Sequence, residues 1–135
     1  MSWYVGIVLG LEDLLLTAEA VLGIDARILE RAVNTTLARS ALAAPFASFS
    51  GQRFYEQPLQ RAAVLASRIV RNHPLPDGNK RVALLLMDLY LEEQGYRLRA
   101  TPRQIDRTFR ALAGRELSEE GFLTWLEAHT GRIET

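Results

Sequence analysis

The sequence contains no cysteine, which excludes disulfide frameworks and thiolate metal centres and fits a reducing, cytoplasmic setting. It has two histidines, His73 and His129, too few for a histidine-built zinc site. Net charge is missing as well: 16 basic residues balance 16 acidic ones, so no global field gathers nucleic acid or coats a membrane surface. The apolar opening from Trp3 to Leu11 lacks a basic flank and runs into Glu12 and Asp13, which argues against a signal peptide. The other long apolar stretch, Val82 to Leu91, holds Asp88 and is too short to span a bilayer.

Familiar phosphate and hydrolase signatures are absent too. No Gly-x-x-x-x-Gly-Lys-Ser/Thr and no Gly-x-Gly-x-x-Gly occurs, and the strands those motifs need are not signalled. Ser48-Phe49-Ser50-Gly51 is not the strand-to-helix elbow of a serine hydrolase. There is no internal repeat and no low-complexity tract. At 135 residues with 48% hydrophobic content, the chain is expected to form one domain, 1–135, with its own core.

What is present is helical spacing of apolar residues, with strand-like alternation nearly missing. The pattern predicts an all-α bundle. Helices are expected over Leu11–Leu22, closed by Gly23, and over Ala26–Leu37, with Asp25 as N-cap. Between Ser40 and Gln57 the period fails, and Ala44–Gln52 mixes turn formers with two phenylalanines. A short flap or hairpin is expected near residues 41–54; its phenylalanines either face a binding partner or plug the core.

From Pro58 the stripe Leu59, Ala62, Ala63, Ala66, Ile69, Val70 leads to His73, which should emerge at the end of a buried helical face. The next helix, Lys80–Gln94, is apolar almost all round and is expected at the centre of the bundle, with Gly95 closing it. Thr101, Pro102 and Gln104 form a capping box for a helix to Ala113, and Ser118 can cap a last helix to Ala128.

The densest chemistry lies between these two central helices, in His73-Pro74-Leu75-Pro76-Asp77-Gly78-Asn79-Lys80-Arg81. His73 can act as a general base near neutral pH. Asp77 suits Mg²⁺, a hard cation that takes one or two carboxylates plus phosphate oxygens, or it caps the following helix. Gly78 permits close approach of an anion to the backbone. Asn79 either contacts phosphate through its side-chain amide or fixes the loop through its own backbone. Lys80 and Arg81 supply positive charge to phosphoryl oxygens; on a buried helix two unpaired cations would be costly, which implies an anion.

This segment resembles the signature loop of the Fic/Doc (Fido) superfamily, roughly His-x-Phe-x-Asp/Glu/Asn-Gly/Ala-Asn-Gly/Lys-Arg, and the similarity extends from about Leu37 to Tyr96. Lys80 points to the Doc branch, small toxins of toxin–antitoxin pairs. The resemblance implies a Fido helical bundle with a flap that aligns a target segment. It implies His73 as the base that deprotonates the target hydroxyl, Asp77 on Mg²⁺, and Gly78, Asn79, Lys80 and Arg81 on the phosphates of ATP. The implied activity is transfer of the γ-phosphate to a threonine of elongation factor Tu, with restraint by a Phd-like antitoxin.

Two positions depart from the pattern. Leu75 replaces the usual Phe, keeping an apolar anchor of smaller volume, which predicts a looser loop with its chemistry intact. Leu84 occupies the place of the second Arg of adenylyl-transferring relatives, which favours phosphate transfer over AMP transfer. No Ser/Thr-x-x-x-Glu-Gly/Asn inhibitory motif occurs; Glu120-Gly121 is preceded four residues earlier by Glu116. Two other readings stay open: an AMP or nucleotidyl transferase using the same site, and a non-catalytic interaction module. Tyr55 and Arg68 are candidates for the border of the site, and His129 is expected at a helix end on the surface.

Overall fold

The computed structural model describes residues 9–134; the apolar opening through Val8 lies outside them. Among the described residues seven helices form the body: α1 Leu11–Leu22, α2 Ala26–Ala32, α3 Thr35–Ala43, α4 Pro58–Asn72, α5 Asn79–Glu93, α6 Pro102–Ala113 and α7 Glu119–Ala128. A 3₁₀ turn, Ala44–Phe46, follows α3. Two antiparallel ribbons complete the fold, β1 Ser48–Phe49 with β2 Gln52–Arg53, and β3 Tyr96–Leu98 with β4 Thr130–Arg132. The all-α expectation holds.

Local chemistry explains most boundaries. Asp25 accepts the Arg27 N–H (2.8 Å) at the start of α2, Thr101 and Gln104 exchange both bonds of the capping box, and Ser118 accepts from Gly121 (3.0 Å). Gly23 (φ 71°) and Gly95 (φ 87°) take the left-handed turns that end α1 and follow α5.

The stretch expected as one helix over Ala26–Leu37 is two. Val33 is extended, and the Asn34 side chain accepts from Leu37 N–H (3.0 Å), starting α3 afresh. The Asn34 N–H meanwhile donates to the Pro74 carbonyl (2.8 Å), so the break seats the loop that follows α4.

α4 is the most enclosed helix, packed against α3, α5, α6, α7 and the 3₁₀ turn. Its small residues Ala62, Ala63 and Ala66 are buried and let α5 come close, where Val82, Ala83, Leu86, Met87 and Tyr90 fill the core. α5 is not apolar to its neighbours all round, since Leu85 and Leu89 are 41% and 50% exposed. The ribbon β3–β4 was not signalled by sequence; three residues per strand carry too little alternation to register.

The expected flap is the β1–β2 hairpin, narrower than the 41–54 window because α3 and the 3₁₀ turn run to Phe46. Ser50 (φ 53°) and Gly51 (φ 79°) both take positive φ, the conformation of a two-residue hairpin turn that follows strand twist. Its phenylalanines divide between the two readings. Phe46 packs edge-on against Tyr90 (5.9 Å), whereas Phe49 and Phe54 are 73% and 62% exposed.

A buried arginine ties the flap to the core. Arg61 on α4 donates to the carbonyls of Tyr55 (3.0 Å) and Glu56 (2.8 Å) and to the Tyr90 hydroxyl (3.3 Å). Burial pushes the Tyr90 phenol above its ordinary pKa, against the pull of Arg61. Replacing Arg61 with Met strips donors from two carbonyls but also relieves desolvation of a charge that meets no carboxylate. The expected result is a global stability change under about 2 kcal/mol in urea titration, with faster hydrogen exchange at Phe54–Gln57.

Candidate active site

His73 ends α4 in the left-handed region (φ 53°, ψ 52°), its N–H bonded to the Ile69 carbonyl (3.1 Å). Non-glycine residues seldom adopt this conformation, although histidine is enriched among those that do. The turn brings the chain off the helix and into the loop. Pro74 and Leu75 are buried, Leu75 at 2% exposure within the core. The smaller anchor is therefore fully seated.

Asn79 then locks the loop. Its Oδ1 accepts the Leu75 N–H (3.0 Å) and its Nδ2 donates to the Leu75 carbonyl (2.9 Å), with the residue 4% exposed. The looseness anticipated from Leu75 is offset by this clamp. The side chain of Asn79 thus fixes the loop, leaving its backbone N–H for a ligand.

Gly78 carries φ 76° at the start of α5, and a Cβ there would lie 2.8 Å from Leu22 Cδ2. The left-handed conformation favours glycine, and a side chain there would also push the Leu22 side chain aside. Asp77 does not cap α5 from a distance; its Oδ1 accepts the adjacent Gly78 N–H (2.8 Å). The first intrahelical bond runs from Val82 N–H to the Gly78 carbonyl (2.9 Å), and no side chain caps the helix. The N–H groups of Asn79, Lys80 and Arg81 are therefore open at the positive end of a 15-residue helix.

A cavity of about 370 Å³ is lined by Val70, His73, Asp77, Gly78, Asn79, Lys80, Arg81 and Ala113. His73, Asp77, Gly78, Asn79, Lys80 and Arg81, the residues singled out for the loop, all border it. Lys80 and Arg81 are exposed and form no ion pair among the described residues. The burial argument for an anion fails, because water solvates both; the open N–H groups beside them carry the case instead.

A family model described as the Fic/DOC family matches residues 9–91. The chain belongs to the Fic/DOC family. No curated protein and no solved structure matches it. Fic/DOC proteins transfer phosphate or nucleotide to other proteins and generally use ATP. The matched span covers the flap and the whole loop, while α6 and α7 lie beyond it.

The region beyond the match still shapes the site. Ala113 lines the cavity, and a second groove of about 360 Å³ between α5 and α6, lined by Lys80, Arg81, Leu84, Pro102, Ile105, Asp106 and Phe109, shares Lys80 and Arg81 with it. Sequence reasoning missed these α6 residues, whose apolar stripe looks like ordinary core. Tyr55 and Arg68 do not border the cavity. They line a larger groove of about 920 Å³ beside the flap, with Arg39, Ser40, Phe46 and Phe54, and Arg68 pairs with Glu119 (3.0 Å). His129 follows α7, stacked on Trp125 (4.5 Å) with Nδ1 donating to the Trp125 carbonyl (2.8 Å).

Asn79→Ala leaves the buried Leu75 N–H and carbonyl unpaired, and is expected to cost about 2–4 kcal/mol in denaturant titration. Gly78→Ala should cost about 1–2 kcal/mol for its left-handed backbone, plus a displacement of Leu22 visible as a chemical-shift change in its methyl groups.

Proposed function

We propose that this Fic/DOC protein is a Doc-like toxin of a toxin–antitoxin pair, which transfers the γ-phosphate of ATP to a hydroxyl of a protein target. The observation that carries the reading is one cavity bordered by His73, Asp77, Lys80 and Arg81 at a helix N-terminus with three open N–H groups. A threonine of elongation factor Tu is the expected acceptor, and arrest of translation in the cytoplasm the expected consequence. With no inhibitory motif in the sequence, restraint falls to a Phd-like antitoxin.

In this mechanism His73 accepts the proton of the target hydroxyl as the hydroxyl oxygen forms its bond to the γ-phosphorus. The bond from that phosphorus to the β–γ bridging oxygen breaks, and ADP leaves with the electron pair. Such transfer needs positioning and charge stabilisation more than covalent help. The N–H groups of Asn79, Lys80 and Arg81, the Lys80 ammonium and the Arg81 guanidinium meet the charge that develops on the phosphoryl oxygens.

Asp77 fits a Mg²⁺ ligand: it is exposed, and Oδ1 engages only the Gly78 N–H while Oδ2 meets no donor among the described residues. When bound there, Mg²⁺ would neutralise charge on the β- and γ-phosphates. The groove between α5 and α6 suits the nucleoside, since it shares Lys80 and Arg81 with the cavity. Leu84 lines that groove where adenylyl-transferring relatives carry arginine, which favours phosphate over AMP. The exposed edge of the flap suits backbone pairing with an extended target segment.

The deciding experiment incubates the protein, Mg²⁺ and elongation factor Tu with ATP labelled at either the γ- or the α-phosphate. Transfer of the γ label, reduced about a hundredfold by His73→Ala, is expected. Transfer of the α label would assign AMP transfer, and toxicity that survives His73→Ala would assign a non-catalytic binder. Ile105→Glu should weaken ATP binding about tenfold by calorimetry, by placing a carboxylate in the nucleoside groove.

A further inference from the structure

We propose that the groove between α1 and α5 is a docking face for a cationic amphipathic helix of another protein. Its apolar floor is formed by Leu16 of α1 with Leu85 and Leu89 of α5, which are 51%, 41% and 50% exposed. Two adjoining hollows run along it. One is lined by Leu16, Thr17, Ala20, Leu85, Asp88, Leu89 and Glu92, the other by Leu9, Asp13, Leu16, Thr17, Leu89 and Glu93. Three large aliphatic side chains converging on one groove form a contiguous patch, unlike scattered surface leucines.

The charge of the rim identifies the occupant. Asp13, Asp88, Glu92 and Glu93 border the two hollows, and no lysine or arginine does. The side chains of Asp88, Glu92 and Glu93 accept no hydrogen bond and meet no cation among the described residues. Asp88 is half-buried, and its carboxyl is pushed above the usual range, first by burial and then by Glu92. A carboxylate partly desolvated against leucines gains most from a positive group that arrives with its own apolar surface.

Other occupants lack that match. A second copy of the same face would set acid against acid. The first eight residues, Met1-Ser2-Trp3-Tyr4-Val5-Gly6-Ile7-Val8, hold no lysine or arginine. Leu85 and Glu92 are separated by about 10 Å along α5, two turns, which suits anchors spaced i, i+4, i+7 on an incoming helix. Leu85 itself lies about 9 Å along α5 from Asn79, so an occupant leaves the open end of the helix free. This face is independent of the proposed transfer chemistry.

The test uses the full chain and fluorescein-labelled amphipathic peptides of about 18 residues, with leucines along one face and either lysines or glutamates along the other. Anisotropy should show the lysine peptide binding, more weakly as salt rises, and the glutamate peptide failing to bind. Leu89→Ser and, separately, Asp88→Asn with Glu92→Gln should each weaken binding about tenfold, whereas Ile28→Ser on α2 should not. Hydrogen-exchange protection should fall on residues 13–20 and 85–93. Absence of binding, equal binding of both peptides, or indifference to both groove variants overturns the proposal. A dimer in light scattering that Leu89→Ser dissolves would give the groove to a second copy and overturn it as well.

Discussion

The two hydrogen bonds between the Asn79 side chain and the backbone of Leu75 hold the site together. They close the loop on itself across four residues, using an amide that is shielded from water and therefore not in competition with it. Everything that faces the cavity is referenced to this clamp. His73 lies two residues before the closed loop and Asp77 lies midway within it, while Lys80 and Arg81 follow directly on the helix that Asn79 starts. Without it, the chain between α4 and α5 would be tethered by the Leu75 side chain and by the Asn34–Pro74 bond alone.

Rigidity is distributed unevenly around that point. α4 and α5 make the most extensive interhelical packing and supply nearly half of the buried core, so the loop is mounted between two well-packed helices. The flap is the opposite case. Two strands of two residues cannot sustain a ribbon by themselves; the stem is fixed by Arg61 and by Phe46 against Tyr90, while Phe49 and Phe54 stay in solvent. A stiff loop and a soft flap suit the proposed reaction, in which one substrate is a small, fixed chemical unit and the other a protein segment.

The helices were legible because their signals are local: capping side chains at Asp25, Thr101 and Ser118, and apolar periodicity along α4. The loop was legible for a different reason, since six chemically distinct residues in one short run leave few alternatives. What escaped prediction depends on long-range contacts. Asn34 ends one helix and starts another because its N–H is taken by Pro74, forty residues away. The α6 wall of the nucleoside groove could not be separated from core by pattern, as Ile105 and Phe109 serve both. Exposure of Leu85 and Leu89 contradicts what an all-round apolar helix suggests, because no described element covers that side of α5. The role of Asn79 was read as a side chain on phosphate or a backbone that fixes the loop, whereas it is the side chain that holds the backbone of Leu75.

The family match ends at residue 91, yet the cavity and its side groove are completed by Ile105, Phe109 and Ala113 from α6. On the proposed reading, the loop placed on phosphate and the groove placed on the base thus belong to different stretches of the chain, which share Lys80 and Arg81. Substitutions in α6 could redraw the preference for one nucleobase over another while the loop stays untouched. On that reading the chemistry and the choice of cosubstrate are separable, carried by two blocks of the chain that can be altered one at a time.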